Sequence, residues 1–275
     1  MHPLVLWSLN GERFAGETPT EEPQTVAWLK GLSKVGTTIP DILCLQDFRA
    51  SMLQYLTPLP YFSFVPMTRY MSWGLQELLG ICIASRWPLN QIEIHHSWGD
   101  GIIRDLRGVG PDQKRIKPDD LADRLVLQTQ NRVAIACSVQ RASDSQPVRV
   151  ATHHGLWVRD GVPTAEQMES TASICGFLAK QGRQYGGLIY AADYNPDRNG
   201  YVMDMYIKSG GRDALPKEIA TTLAPHHPAA QLGIRSDCIM RWPGSQGTYP
   251  YSIENVRLDL SPGSDHAMVC CRIMS

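Results

Sequence analysis

The sequence predicts an α/β protein built from stacked β-sheets. Three observations predict it. Short apolar runs of strand length recur from one end to the other, two longer stretches carry helical periodicity among them, and composition does not shift anywhere along the 275 residues. No self-similarity at solenoid spacing is present. The chain therefore reads as one domain spanning residues 1–275, long for a single core but within reach of a layered α/β protein.

Leu4 to Leu9 reads as a buried first strand. A Thr/Glu/Pro-rich loop follows. Thr25 to Val35 then places Val26, Leu29, Leu32 and Val35 on one helical face. Pro40-Asp41 introduces a second strand, Ile42 to Gln46, and Tyr61 to Val65 and Leu79 to Ala84 are further strand segments. Leu125 to Thr129 and Val133 to Val139 have the pattern of a hairpin around Gln130-Asn131. Val148 to His153 is another strand. Thr164 with Gln167 forms a capping box that opens a helix with Met168, Thr171, Cys175 and Leu178 on one side. Leu188 to Ala192, Arg235 to Met240 and Ala267 to Ile273 complete the strands. Residues 90–124 and 196–232 read as irregular, and loops that long in a compact domain are often substrate-facing.

Composition removes several classes. Charged residues are 19% and hydrophobic residues 43%, so a packed core is expected and disorder is not. The formal charge of -1 supplies no global attraction for a polyanion, and a nucleic-acid substrate would need local basic patches such as Arg104, Arg107, Lys114, Arg115 and Lys117. No apolar run reaches membrane-spanning length, so no membrane span is expected, and the N-terminus lacks the basic region of a signal peptide. The seven cysteines, most of them inside apolar runs and with no Cys-x-x-Cys pair, read as buried reduced thiols of a cytoplasmic protein. Gly108-Val-Gly110 has no Lys-Ser/Thr behind it and no Gly-x-Ser-x-Gly exists, which excludes a P-loop and a nucleophile elbow.

Eight polar residues sit at or just past the ends of apolar runs: Asn10, Asp47, His154, Asp193, Asn195, Asp237, Asp265 and His266. A strand that stops at a carboxylate, amide or imidazole, repeated along a chain, implies one polar pocket assembled at strand ends. Such a pocket suits a hard divalent cation and a phosphate. His153 and His154 project to opposite faces if the strand continues, so only one of them can face that pocket. His95-His96 and His226-His227 lack carboxylate or Cys partners at ligand spacing and read as loop histidines.

With these residues placed, the order of motifs resembles the endonuclease/exonuclease/phosphatase superfamily. The resemblance runs through Trp7-Ser8-Leu9-Asn10, Asp41-Ile-Leu-Cys-Leu-Gln-Asp47, Gly80-Ile-Cys-Ile-Ala-Ser-Arg-Trp-Pro88, Thr152-His153-His154-Gly-Leu-Trp157, Ala192-Asp-Tyr-Asn195, Ser236-Asp237-Cys-Ile and Ser264-Asp265-His266. It implies a four-layer sandwich of two mixed β-sheets flanked by helices, with the pocket at one end of the sheets. It also implies a hydrolase that cleaves a phosphoester with activated water and Mg²⁺ or Mn²⁺. His154, Asp193, Asn195, Asp237 and His266 are the expected catalytic residues, with Asn10, Asn195 and His154 toward substrate. Asp193 can take the proton of the attacking water, although His266 as base stays open at this stage. Asp237 can orient His266. Asp47 and Asp265 are the expected metal-side carboxylates.

One departure stands out. The family pattern has Glu where this chain has Asp47, whose carboxylate sits about 1.5 Å further back, one C–C bond. Glu12, two residues after Asn10, stands where some members carry a metal-side Asp. Short-for-long at 47 and long-for-short at 12 would keep the cation in place, which adds Glu12 to the expected ligands. A phosphodiesterase acting on DNA, RNA or a nucleotide-like diester is the leading expectation. A phosphomonoesterase acting on a small soluble or lipid-headgroup phosphate is the alternative, and an inactive binding protein of the same fold is the third.

Overall fold

The computed structural model describes residues 3–11, 22–72, 75–107, 130–141, 144, 146–158, 161–227 and 229–274. Glu12, the 125–129 half of the expected hairpin, and Lys114, Arg115 and Lys117 lie outside them. Thirteen strands are described, in two mixed sheets. The first sheet holds β1 (Leu4–Asn10), β2 (Ile42–Arg49), β3 (Tyr61–Ser72), β4 (Leu75–Ser85), β6 (Asp105–Arg107), β12 (Ser252–Asp259) and β13 (Met268–Met274), in the order β12-β13-β1-β2-β4-β3-β6. The second holds β5 (Leu89–Trp98), β7 (Arg132–Val139), β8 (Val148–His153), β9 (Gly187–Asp193), β10 (Arg212–Asp213) and β11 (Asp237–Pro243), in the order β10-β11-β9-β8-β7-β5. The pairs β1–β2, β3–β6 and β8–β9 are parallel and the rest antiparallel.

The core explains the layers. Leu6, Ile42, Ile81, Ile135, Val150, Ile189, Ile239 and Val269 fill the space between the two sheets. The outer face of the first sheet packs Leu9, Leu43 and Leu45 against Val26 and Leu29 of helix α1 (Gln24–Gly31) and against the 3₁₀ segment Ala50–Tyr55. The outer face of the second packs Tyr190, Ala192 and Met240 against helices α2 (Ala165–Gln184) and α3 (Tyr201–Lys208). The result is helix, sheet, sheet, helix, the sandwich expected from the motif order. Strands buried on both faces read as continuous apolar runs, which is why β1, β7 and β9 are evident from sequence. Gln46 reaches from one sheet to the other, its Nε2 donating to Thr152 Oγ1 at 2.8 Å.

Several boundaries differ from expectation. The first helix ends at Gly31, and Val35 is fully exposed, because the chain turns through Ser33–Gly36, with Gly36 at φ +86°. Residues 90–98 of the 90–124 segment read as irregular belong to edge strand β5, so His95 and His96 are strand residues, with His95 stacked on Phe177 at 4.8 Å. β7 pairs with β5 on one side and β8 on the other. The 196–232 segment contains α3. Thr164 caps α2 as expected, accepting from Gln167 N at 3.2 Å. All seven cysteines are free and buried. Among the described residues no helix is long and apolar enough to cross a membrane.

Candidate active site

The topology brings the polar strand ends together. β1, β2, β8 and β9 all finish at one end of the sandwich, and β11 and β13, which run antiparallel to β9 and β1, begin there. Asn10 closes β1, Asp47 lies near the end of β2, His154 follows β8, and Asp193 closes β9 with Asn195 just beyond. Asp237 opens β11 directly opposite Asp193 in the ladder, and Asp265 and His266 lead into β13.

Asp193 is the centre, and it is buried. Its Oδ1 accepts from Asn195 N at 3.0 Å and its Oδ2 from Asn10 Nδ2 at 2.7 Å. Two imidazoles approach the same Oδ2: His154 Nε2 at 3.5 Å and His266 Nε2 at 3.9 Å. Each imidazole is backed by a second carboxylate. His154 Nδ1 lies 3.0 Å from Asp47 Oδ1, and His266 Nδ1 lies 2.9 Å from Asp237 Oδ2. The structure therefore places two carboxylate–imidazole pairs on either side of one aspartate. Asp265 stands at the rim, its Oδ1 3.9 Å from His266 Nε2.

Asp193 and Asp237 are like charges facing each other across a ladder, an arrangement that destabilises a sheet unless something intervenes. His266 intervenes. Burial by itself lowers its pKa, but the Asp237 charge and hydrogen bond, followed by Asp193 and Asp265, raise it to about 10. Burial pushes the Asp237 carboxyl up, against the pull of His266. The pair thus holds its proton on the imidazole at neutral pH. The adjacent His153 behaves oppositely. It points to the other face of β8, into the core, where its Nε2 meets Ser97 Oγ at 2.9 Å, and burial pushes it well below the usual histidine range. His154 is the member of the pair that faces the pocket.

Two backbone features aim these groups. Asp47 sits in a bulge between Leu45 and Phe48 of the β2–β4 ladder and has φ +49°, a conformation non-glycine residues seldom adopt. The bulge takes its carboxylate out of simple alternation and turns it to His154. Asn195 has φ +47°, and its Nδ2 donates to Gly155 O at 3.1 Å. Strained residues of this kind concentrate at functional sites.

Sequence reading missed four supporting residues. Gln167 of α2 donates from Nε2 to Leu156 O at 3.2 Å and to Asn195 O at 2.9 Å, clamping the two loops that carry His154 and Asn195. Gly155 N donates to Asp193 O at 2.8 Å, and a Cβ at that glycine would lie 2.3 Å from Tyr194 O. Ser264 Oγ donates to Asn10 O at 2.7 Å, seating the C-terminal motif on the end of β1. His227, read as a loop histidine without an acidic partner, has Asp265 Oδ2 3.7 Å from its Nε2. The capping box at 164–167 pointed to Gln167 only as a helix residue. Gly155 and Ser264 stood inside the quoted motifs without a role of their own, and His227 was read only as a loop histidine.

The donor set suits a hard cation. Asp193, Asp237 and His266 offer ligand atoms within 4.8 Å of one another, a grouping compatible with a metal ion. His266 would have to give up a tightly held proton to ligate. The side chains of Asp47 and Asp265 are 16% and 20% exposed where Asp193 and Asp237 are sealed. Partly open carboxylate oxygens are the ligands a hydrated Mg²⁺ or Mn²⁺ takes. Of the basic stretch, Arg104 is paired with Asp100.

No protein-family model and no curated protein matches the sequence significantly. Solved structures do match. Over the whole of both chains, D. rerio TDP2 complexed with a single-strand DNA product is similar at 15% identity and TM-score 0.63. An endonuclease/exonuclease/phosphatase from Bacteroides vulgatus is similar at 13% identity and TM-score 0.64, over 100% of this chain and 99% of that one. A mannosyl-6-phosphatase from Bacteroides thetaiotaomicron is similar at 13% identity and TM-score 0.61, over 99% and 100%. At these identities the likeness is one of fold.

Proposed function

We propose that this chain, which has the endonuclease/exonuclease/phosphatase fold, is a divalent-metal-dependent phosphodiesterase that hydrolyses a nucleic-acid or nucleotide-like phosphodiester by attack of activated water. The observation that carries the reading is the convergence of Asn10, His154 and His266 on Asp193, with each imidazole backed by its own carboxylate. A structural cluster has no need to hold this much charge in a buried pocket.

Asp193 is the general base that takes the proton of the attacking water. Its lone pairs are aimed by Asn195 N–H and by Asn10, so Asn10 serves the base in the free protein rather than standing ready for phosphate alone. His266, charged at neutral pH through Asp237, acts as the cation that stabilises the pentavalent transition state, and this favours Asp193 over His266 as base. His154 faces the substrate from the other side of Asp193, with Asp47 beside its Nδ1. Asn195 orients the water. Asp47 and Asp265 would hold Mg²⁺ or Mn²⁺, with Glu12 as the third carboxylate of the exchange described above. When bound, the ion supplies Lewis-acid polarisation of a phosphate oxygen and offsets the aspartate charges.

A nucleic-acid substrate is supported by the single-strand DNA product on the similar D. rerio protein, and a cytoplasmic setting by the reduced, buried thiols. The similar mannosyl-6-phosphatase favours a second reading, a phosphomonoesterase. Hydrolysis of a chromogenic diester, a chromogenic monoester and plasmid DNA, each with Mg²⁺, Mn²⁺ or EDTA, separates them. Diester or DNA cleavage that EDTA abolishes and Asp193→Asn removes is the expected result. Monoester turnover alone transfers the reading to the phosphatase. No turnover with either metal leaves an inactive binding protein. Metal affinity that is unchanged in Glu12→Gln ends the exchange idea.

A further inference from the structure

His227 has no part in the roles above, yet the backbone holds it at the pocket. Ala267 N donates to Thr222 O at 2.8 Å, Leu223 forms a bridge with His266, Ala224 N donates to Asp265 O at 2.8 Å, and His227 N donates to Ala224 O at 2.9 Å. The segment from Thr222 to His227 is therefore laid along the Asp265–Ala267 segment. The position of the His227 ring is set by the same chain that sets His266.

The ring is also oriented. Its Nδ1 accepts from Ala229 N at 2.9 Å, so Nε2 carries the proton. Nε2 lies 3.7 Å from Asp265 Oδ2, beyond a direct hydrogen bond, and the ring stands edge-on to His266 with centroids 6.1 Å apart. The side chain is 25% exposed. A fixed N–H donor on a partly exposed side chain thus stands beside the carboxylate and the imidazole at the pocket rim.

We infer that His227 is a further substrate-contacting residue: its Nε2–H donates to an oxygen of the phosphoester bound beside Asp265 and His266. The inference rests on the phosphoesterase reading and extends it to a third imidazole. Because Nδ1 is committed to Ala229, the donor is present in the neutral ring. The contact serves binding more than chemistry.

The test uses His227→Ala and His227→Gln in the full chain. Inorganic phosphate binding is measured by calorimetry in EDTA, and hydrolysis of bis(p-nitrophenyl) phosphate with Mg²⁺ is resolved into kcat and KM. In His227→Ala the phosphate Kd and the KM should each rise about tenfold, the loss of one hydrogen bond of about 1.4 kcal/mol, with kcat within about threefold. In His227→Gln, whose amide N–H reaches nearly as far, most of the loss should return. Unchanged Kd and KM in His227→Ala overturn the inference. So does a fall in kcat and melting temperature without a change in Kd, which is what a purely structural tie to Asp265 gives. If the wild type neither binds phosphate nor cleaves any phosphoester, the parent reading fails and takes this one with it. If the wild type does both and His227→Ala matches it, only the role of His227 fails.

Discussion

Gly155→Ala tests the geometry of the pocket without touching a reacting group. Gly155 lies between His154 and the strand end of β9. Its N–H donates to Asp193 O at 2.8 Å, and its carbonyl accepts from Asn195 Nδ2 at 3.1 Å. A Cβ there would stand 2.3 Å from Tyr194 O and 2.6 Å from Tyr194 C, both backbone atoms. Relief to ordinary van der Waals contact needs a separation of about 1 Å between the loop that carries His154 and the loop that carries Asn195. Overpacking of this kind costs about 1–3 kcal/mol, which lowers Tm by roughly 2–12 °C in a protein of this size. A displacement of about 1 Å at a reacting centre also lowers kcat/KM by about 10²-fold. The assay is steady-state hydrolysis of bis(p-nitrophenyl) phosphate with Mg²⁺ beside a calorimetric melt. Gly176→Ala is the control: it lies in α2 with nothing within 4 Å of an added Cβ, so Tm should hold or rise and kcat/KM should not move. Wild-type Tm and kcat/KM in Gly155→Ala would refute the claim that this close approach sets the His154–Asp193 geometry.

The same structure fixes further outcomes. Asp237→Asn removes the carboxylate that most raises His266, so the His266 titration seen by NMR should move down from about 10 and kcat should fall by about 10²–10⁴-fold. In the wild type, the stabilisation from that raised pKa is complete below about 6.5 and is lost as pH rises through about 10, an alkaline limb that urea titrations should show and Asp237→Asn should flatten. His153 has the opposite sign. Its folded-state pKa is depressed by burial, so the unfolded chain takes up a proton below about 6.5 that the folded chain refuses, and stability should fall by up to about 1.4 kcal/mol per pH unit on acidification. A His153→Asn variant that keeps the full acid slope in urea melts would contradict this. Gln167→Ala frees Leu156 O and Asn195 O together; an unfolding free energy about 1–3 kcal/mol lower and a kcat/KM about tenfold lower are expected, and unchanged kinetics would remove Gln167 from the support of Asn195.

The sequence by itself determined the fold class, most strands, and the eight polar positions at which apolar runs stop. Those signals are local: an apolar run makes a buried strand, and a carboxylate or amide at its end marks where the core stops. Motif order along the chain then supplied the architecture. Tertiary structure alone decided how the eight meet. The bulge that turns Asp47 toward His154 exists only because β2 must pair with β4, and the assignment of His153 to the core and His154 to the pocket follows from which face of β8 meets the helices. Edge strand β5 was not read because its apolar alternation is only Ile92 and Ile94, both exposed among polar neighbours, and its pairing with β7 supplies what its own side chains do not. Gln167 and His227 were hidden for a related reason. The groups they meet, Asn195 O and the Asp265 carboxylate, lie 28 and 38 positions away, and a contact between distant residues leaves no mark on the spacing of either.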